Sequence, residues 1–200
     1  MNPFDTAVYH AINNLSGHVK WFDDLMAFIS QYAIEIYGAL FIIFWFTLPR
    51  SKVDKRQTLV VAFVAGVFAL LINFVIAHIW YRPRPFVSLP SGSFHQLIPH
   101  AADASFPSDH ASGSFAFASA TWGKKSKWVS WSFTILAIAV MFSRVYTGVH
   151  WPTDVIASFI VGTIAGRLSW RLSPLLYPVT KFAVKIFRLE PKKKNTDHTV

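Results

Sequence analysis

The stretch TLVVAFVAGVFALLINFVIAHIWY, from Thr58 to Tyr81, decides the fold class. Only Asn73 and His78 are strongly polar within it, and roughly 20 apolar residues suffice to cross the hydrocarbon of a bilayer. The composition agrees: of 200 residues 53% are hydrophobic and 14% charged, with 19 Phe and 8 Trp. That is too apolar for an ordinary soluble domain, and the apolar residues are bunched into runs. Further runs lie at 25–48, interrupted by Gln31 and Glu35, and at 109–122, 128–143 and 152–170. The reading is an all-α, integral-membrane helical bundle of about five spans, one membrane-embedded domain over residues 1–200. The 109–122 run is rich in Ser, Ala and Gly, which permit close packing, so it reads as a span buried inside the bundle. It and 128–143 are short, and both are expected to lengthen at their ends.

Residues 1–20 predict an amphipathic helix. Phe4, Ala7, Val8, Ala11, Ile12 and Leu15 recur at helical spacing with Asp5, Asn13 and Asn14 off the stripe, fitting a helix on the membrane or packed across the bundle. The first five residues lack the basic start and apolar core of a cleaved signal peptide. Residues 174–200 read as a basic cytoplasmic tail. There Val179, Phe182, Ala183 and Ile186 oppose Lys181, Lys185 and Arg188, and Lys192, Lys193 and Lys194 follow; this suits anionic headgroups. With no cysteine there is neither a disulfide framework nor a thiolate metal site.

The net charge of +9 would fit a nucleic-acid partner only if the basic residues shared one soluble face, and they do not. Fifteen of the nineteen Lys and Arg fall in 49–57, in 123–127 and from Arg167 onward. Five spans with the amino terminus outside put all fifteen on the cytoplasmic side. Three polar clusters then emerge together at the outer face. Trp80, Trp122, Trp128 and Trp151 at span ends read as an interfacial belt.

The first cluster is Arg82-Pro83-Arg84-Pro85, just beyond the second span. The second is Pro107-Ser108-Asp109-His110, a helix start whose free backbone N–H groups favour an anion. The third is Ser143-Arg144 with His150 and Asp154. In isolation each has an ordinary reading: a cap, a structural contact, or an arginine that snorkels to headgroups. Together they match a phosphate, because guanidinium forks bind its oxygens at two points. His150 and Asp154 are four apart and share a helical face, and Pro152 suits the first helical position. A carboxylate there can hold one imidazole nitrogen and leave the other free to attack phosphorus, while His110 protonates the departing oxygen. The arginines and helix-start N–H groups would stabilise the equatorial oxygens. No cofactor is expected, and the residues offer no carboxylate cluster suited to Mg²⁺. Glu35, inside a span, is a functional candidate by its setting. His78, His95 and His100 are assigned nothing firm, and Asp103 reads as a loop residue.

The set Arg84-Pro85, Pro107-Ser108-Asp109-His110 and Ser143-Arg144-x5-His150-x3-Asp154 resembles the type 2 phosphatidic acid phosphatase superfamily across residues 58–170. The longer run Ile98 to His110 is similar to its bacitracin-resistance branch, the undecaprenyl-pyrophosphate phosphatases. The resemblance implies His150 as a nucleophile forming a phosphohistidine, Asp154 as its partner, His110 as the acid, and Arg84, Ser108 and Arg144 as phosphate ligands. It also implies a polyprenyl pyrophosphate substrate, surrounding membrane lipids, and the outer face of a bacterial cytoplasmic membrane. The chain departs from the pattern twice. Ala77 stands where the family usually has lysine, with Arg82 a candidate to supply that charge at the phosphate. Asp109 stands where the family usually has glycine, so its backbone N–H rather than its carboxylate should face the phosphate. Two other readings stay open: a phosphatase for phosphatidate or phosphatidylglycerophosphate, and a non-catalytic lipid-binding or transport protein.

Overall fold

A run of apolar residues with its backbone hydrogen bonds closed internally is what a bilayer tolerates, and the computed structural model follows that rule. It describes residues 2–49, 53–187 and 189, and every regular element among them is helical. In order these are α1 (Pro3–Asn13), α2 (Lys20–Gln31), α3 (Ala33–Thr47), α4 (Val53–Ile79), the single turn α5 (Pro85–Ser88), α6 (Asp109–Thr121), α7 (Lys127–Tyr146), α8 (Pro152–Ser169) and α9 (Ser173–Ile186). A 3-10 turn, Trp170–Leu172, joins the last two. Among the described residues, three stretches are long and apolar enough to cross a membrane alone: α4, α7 and the run Pro152–Ile186.

The helix α6 is the axis of the bundle, wrapped by α4, α7 and α8. Its small residues are the reason. Gly162 of α8 lies so close that an added Cβ would sit 2.4 Å from the Ser112 carbonyl oxygen. At Gly166 the same atom would meet Ser119 Oγ at 2.0 Å. Ser119 Oγ in turn donates to the Gly162 carbonyl at 3.1 Å, a polar tie between helices packed backbone to backbone. The expected lengthening holds for α7 only. α6 keeps 13 residues, about 20 Å at 1.5 Å each, and sheathed by its neighbours it has no hydrocarbon thickness to match.

The 25–48 run is not one straight helix. α2 and α3 meet at 73° around Tyr32. The Arg144 guanidinium takes the Ser30 carbonyl through Nη1 at 2.9 Å, which removes an acceptor from the helical ladder, and a side chain inserted in that way is a recognised cause of a kink.

The amino-terminal helix packs on its polar side and leaves most of its apolar stripe outward, the arrangement of a helix whose stripe lies on a membrane. Asp5, Tyr9 and Asn13 are buried against α7 and α8, while Phe4, Ala7, Ala11 and Leu15 are exposed. Specific polar partners decide this. Asn13 Nδ2 donates to the carbonyls of His95 (2.8 Å) and Tyr146 (2.9 Å), and its Oδ1 accepts from the His95 N–H at 2.8 Å. The apolar stripe is left facing outward.

At the far end α9 docks on α4, where Thr180 Oγ1 donates to Gln57 Oε1 and Gln57 Nε2 to the Ser173 carbonyl at 2.9 Å. Val179, Phe182 and Ile186 stay exposed, as a helix on a lipid surface requires. Arg50, Lys52, Arg188 and the lysines 192–194 lie outside the described residues. Lys55, Lys124 and Lys125 gather at this end with Trp170 and Tyr177. Arg56 instead turns inward onto the carbonyls of Trp45, Leu48 and Pro49, closing the carboxyl end of α3.

Candidate active site

Chain order puts the ends of α4 and α7 and the starts of α6 and α8 at one end of the bundle, opposite those lysines. The prolines of Arg82-Pro83-Arg84-Pro85 bar further helix, so α4 stops at Ile79 and both arginines turn back over the bundle. Gly148 (φ 80°) makes the return from α7 possible, and a Cβ there would stand 2.3 Å from the His95 carbonyl oxygen. The turn closes with the Val149 and His150 N–H groups on the Arg144 carbonyl, 3.2 Å each. Pro152 opens α8 as expected, and Asp154 Oδ2 accepts the Trp151 N–H at 2.9 Å.

These turns bring His150 between two charged groups. Arg84 Nη1 lies 3.0 Å from His150 Nε2 and also donates to the Val149 carbonyl at 2.9 Å. A guanidinium only donates, so Nε2 carries a lone pair and the ring proton sits on Nδ1. On that side Asp154 Oδ2 is 3.5 Å from Nδ1. The buried Asp154 carboxylate also accepts from Ser105 Oγ and, through Oδ1, from Arg82 Nη1 at 2.6 Å. Burial, then the Arg144 and Arg84 guanidiniums, hold the His150 pKa well below the ordinary imidazole value, so the ring is neutral.

Arg144 is 1% exposed. Its Nη1 reaches the Ser30 carbonyl and, at 3.2 Å, Ser30 Oγ. Its Nε and Nη2 have no hydrogen-bond partner among the described residues. Two unpartnered donors on a buried cation are costly, and such groups call for a physical explanation. Both Arg144 and Arg84 line a cavity of about 590 Å³ with His110, His150, His100, Asp103 and Asp109. Ser108 caps α6 without a side-chain bond to the helix, and its buried Oγ is also unpartnered. The Asp109 carboxylate is tied to Asn73 Nδ2 at 2.8 Å, and Asn73 Oδ1 accepts from Ser112 Oγ at 3.1 Å. Asn73, which ties Asp109, lies six residues before the end of α4 at Ile79, so this wall of the site is recessed by ~9 Å along the helix. Beside it an apolar groove of about 260 Å³ runs between α3, α4 and α6, sharing Leu70, Asp109 and His110 with the polar cavity.

The structure therefore gathers His150, His110, Arg84, Arg144 and Asp109 around one cavity with Asp154 behind His150, whereas Ser108 is buried beside it, off the cavity wall, with its N–H on Ser158 Oγ at 2.8 Å. Arg82 stands apart. It lines a separate cavity, and its guanidinium is held by Asp154, by Thr153 Oγ1 at 2.7 Å and by Asp5 Oδ2 at 2.5 Å. Ala77, at the place of the family's usual lysine, is on the polar cavity wall. Glu35 is exposed and lines neither cavity.

Several partners escape sequence reasoning. His100 stacks edge-on to His150 with ring centroids 6.2 Å apart. Burial and the Arg84 charge lower its pKa. Asp103, which reads as an ordinary loop residue, pairs with Arg84 Nε at 2.8 Å. Ser105 and Ser30 carry no signal of their own. Asn73 does carry one, as a polar residue deep in an otherwise apolar span.

Residues 58–177 match the PAP2 superfamily model. The chain belongs to the PAP2 superfamily. It is 37% identical over 193 residues to the undecaprenyl-diphosphatase BcrC of Bacillus subtilis, covering 95% of this chain and 96% of that protein. It is 33% identical over 171 residues to the undecaprenyl-diphosphatase of Sulfolobus acidocaldarius, covering 83% and 77%. Among solved structures, that of Aquifex aeolicus LpxE superposes with a TM-score of 0.70 at 20% identity, over 85% of this chain and 96% of the other. A PAP2 type phosphatidylglycerolphosphate phosphatase from Bacillus subtilis gives 0.63 at 21% identity, over 88% and 89%. Those two likenesses speak for the fold. Family membership and the apolar helices make this PAP2 chain a multi-pass membrane phosphatase.

Proposed function

We propose that this phosphatase removes the terminal phosphate of undecaprenyl diphosphate at the outer face of a bacterial cytoplasmic membrane, through a phosphohistidine at His150. The observation that carries the reading is His150 Nε2, bearing its lone pair, with Arg84 at 3.0 Å and the unpartnered donors of Arg144 on the same cavity wall. A phosphoryl group there would meet a nucleophile and fixed cations together. Nε2 attacks the terminal phosphorus, and the bond to the bridging oxygen breaks with its electron pair going to the lipid monophosphate. His110 supplies the proton that the departing oxygen takes. Water then attacks the phosphoryl group and gives its proton to His110; the P–N bond breaks, phosphate leaves, and His150 is regenerated. Asp154 holds the Nδ1 proton throughout. The recessed site and its apolar groove favour a substrate whose chain lies in the hydrocarbon. The two undecaprenyl-diphosphatase relatives support the polyprenyl diphosphate class. The cluster of lysines at the opposite end favours an outward-facing site.

The test is phosphate release by purified protein in detergent, comparing undecaprenyl diphosphate with phosphatidate, and acid-labile, alkali-stable phosphoenzyme trapped from labelled substrate. Faster turnover of the diphosphate, its loss in His150→Ala at unchanged thermal stability, and a trapped phosphoenzyme are expected. Retained turnover in His150→Ala would remove that residue from the mechanism, and a preference for phosphatidate would overturn the substrate.

A further inference from the structure

The face of α1 turned toward the protein is polar, and one residue on it reaches the catalytic machinery. Asp5 is 1% exposed although it lies in the first turn of a terminal helix. Its Oδ1 accepts the Thr153 N–H at 2.8 Å, and its Oδ2 accepts Thr153 Oγ1 at 2.7 Å and Arg82 Nη2 at 2.5 Å. The other edge of the same guanidinium, Nη1, binds Asp154 Oδ1 at 2.6 Å and Thr153 Oγ1 at 2.7 Å. Asp154 in turn faces His150 Nδ1. An unbroken polar chain thus runs from α1 through the α4 exit to the start of α8.

We propose that Asp5 is a positioning residue for the phosphatase site, acting on His150 through Arg82 and Asp154. The inference rests on the reading of His150 as nucleophile and Asp154 as its partner.

Two effects follow from the geometry. The first is orientation: Asp5 fixes both Arg82 and the backbone of Thr153, so beside Ser105 Oγ and the Trp151 N–H it helps to aim the Asp154 carboxylate. The second is charge. Arg82 left with Asp154 alone would form a closed ion pair and drain the carboxylate of its pull on the imidazole proton. With Asp5 present the guanidinium is shared, and the three groups together keep one net negative charge facing His150. That charge is worth most when Nε2 bonds to phosphorus and the ring becomes cationic, so the benefit falls on turnover rather than on substrate binding.

Alignment errors and lost outer partners typically cost on the order of 10- to 100-fold in such sites. Asp5→Asn keeps the size of the side chain and removes its charge. It is expected to lower kcat for undecaprenyl diphosphate by roughly 10-fold or more with KM within about twofold, and Asp5→Glu should recover much of the loss. The double variant Asp5→Asn with Arg82→Gln should fall no further than Arg82→Gln alone, because both act through one chain.

Docking of α1 as such is separated by Asn13→Ala, which removes the helix's other anchor to His95 and Tyr146 without touching Arg82. That variant should melt lower yet turn over at the wild-type rate per folded molecule. If Asp5→Asn keeps the wild-type kcat, or if Asn13→Ala costs as much kcat as Asp5→Asn, the proposal is overturned. If instead wild-type enzyme turns over undecaprenyl diphosphate but His150→Ala does so equally well, the underlying reading has failed rather than this one.

Discussion

Arg144 makes opposite demands on stability and activity, and Arg144→Met separates them. The residue is buried, one guanidinium edge is anchored on Ser30, and two donors, Nε and Nη2, are without partners beside the cavity. A bound phosphoryl group would gain two charge-assisted hydrogen bonds from them, each worth about 1.5–3 kcal/mol. Losing both removes about 3–6 kcal/mol of transition-state stabilisation, which at about 1.4 kcal/mol per tenfold is roughly 10²- to 10⁴-fold in kcat/KM. Folding without ligand runs the other way. A buried cation with unmade bonds is a penalty of several kcal/mol that Met does not incur, set against about 1–3 kcal/mol for the Ser30 carbonyl left without its donor.

The ligand-free melting temperature of Arg144→Met should therefore equal or exceed that of the wild type. Orthophosphate should raise the wild-type melting temperature by mass action and leave the variant unmoved. Arg144→Lys should be intermediate at best, since one ammonium cannot hold Ser30 and a phosphate with the geometry of a fork. The assays are thermal unfolding in detergent with and without orthophosphate, and phosphate release per folded molecule. A variant that melts well below wild type while keeping its turnover would refute the argument. Arg144 would then be a clamp for the bend between α2 and α3.

Gly113 tests the apolar groove. A Cβ built there meets nothing within 4 Å, so Gly113→Leu should fold, and its side chain should fill the space beside His110. Turnover of undecaprenyl diphosphate should drop by about tenfold or more through misplacement, with dimethylallyl diphosphate little affected; an equal loss on both would deny the groove its role. The buried imidazoles predict an acid limb of stability. Burial and the neighbouring guanidiniums hold His150 well below, and His100 below, the ordinary imidazole value, so near and under about 6.5 the unfolded chain binds more protons than the folded one. Stability is full above that value and falls as pH drops through it, by up to about 1.4 kcal/mol per pH unit for His150. Denaturation at pH 5 and pH 7.5 measures this, and His150→Ala should flatten the slope; a steeper slope in that variant would reverse the sign assigned.

Helices could be read from the chain because span formation depends on local composition, and the motifs of the candidate site because each is local. Pro152 and Asp154 mark the start of α8 by rules of chain geometry, and that start falls where expected. Contacts between remote residues left no such trace. The polar partners of Asn13 lie 82 and 133 positions away, so the sequence alone left open whether the stripe of α1 or its polar side meets the bundle. The break at Tyr32 depends on Arg144, 114 residues beyond Ser30, a link that composition does not reveal. Arg82 and Arg84 are two positions apart in one motif, yet one enters the cavity wall and the other is drawn behind it. Only the placement of Asp5 and Asp154 distinguishes them.

That separation organises the charge of the site. On the cavity side, among the described residues, Arg144 has no carboxylate partner, Arg84 has only the exposed Asp103, and the Asp109 carboxylate is tied to Asn73. Behind His150 the balance is reversed, with two carboxylates, Asp5 and Asp154, on the single cation Arg82. The imidazole lies between a field that attracts a phosphoryl group at Nε2 and one that accepts positive charge at Nδ1. Phosphoryl transfer to a neutral histidine creates both demands at once: negative oxygens on one side of the ring and a cationic ring on the other. Exchanging the two arginines' partners would leave the net charge of the site unchanged and remove its direction. On the proposed phosphohistidine route, the polarity across His150, more than the number of cations near it, is what the arrangement would supply.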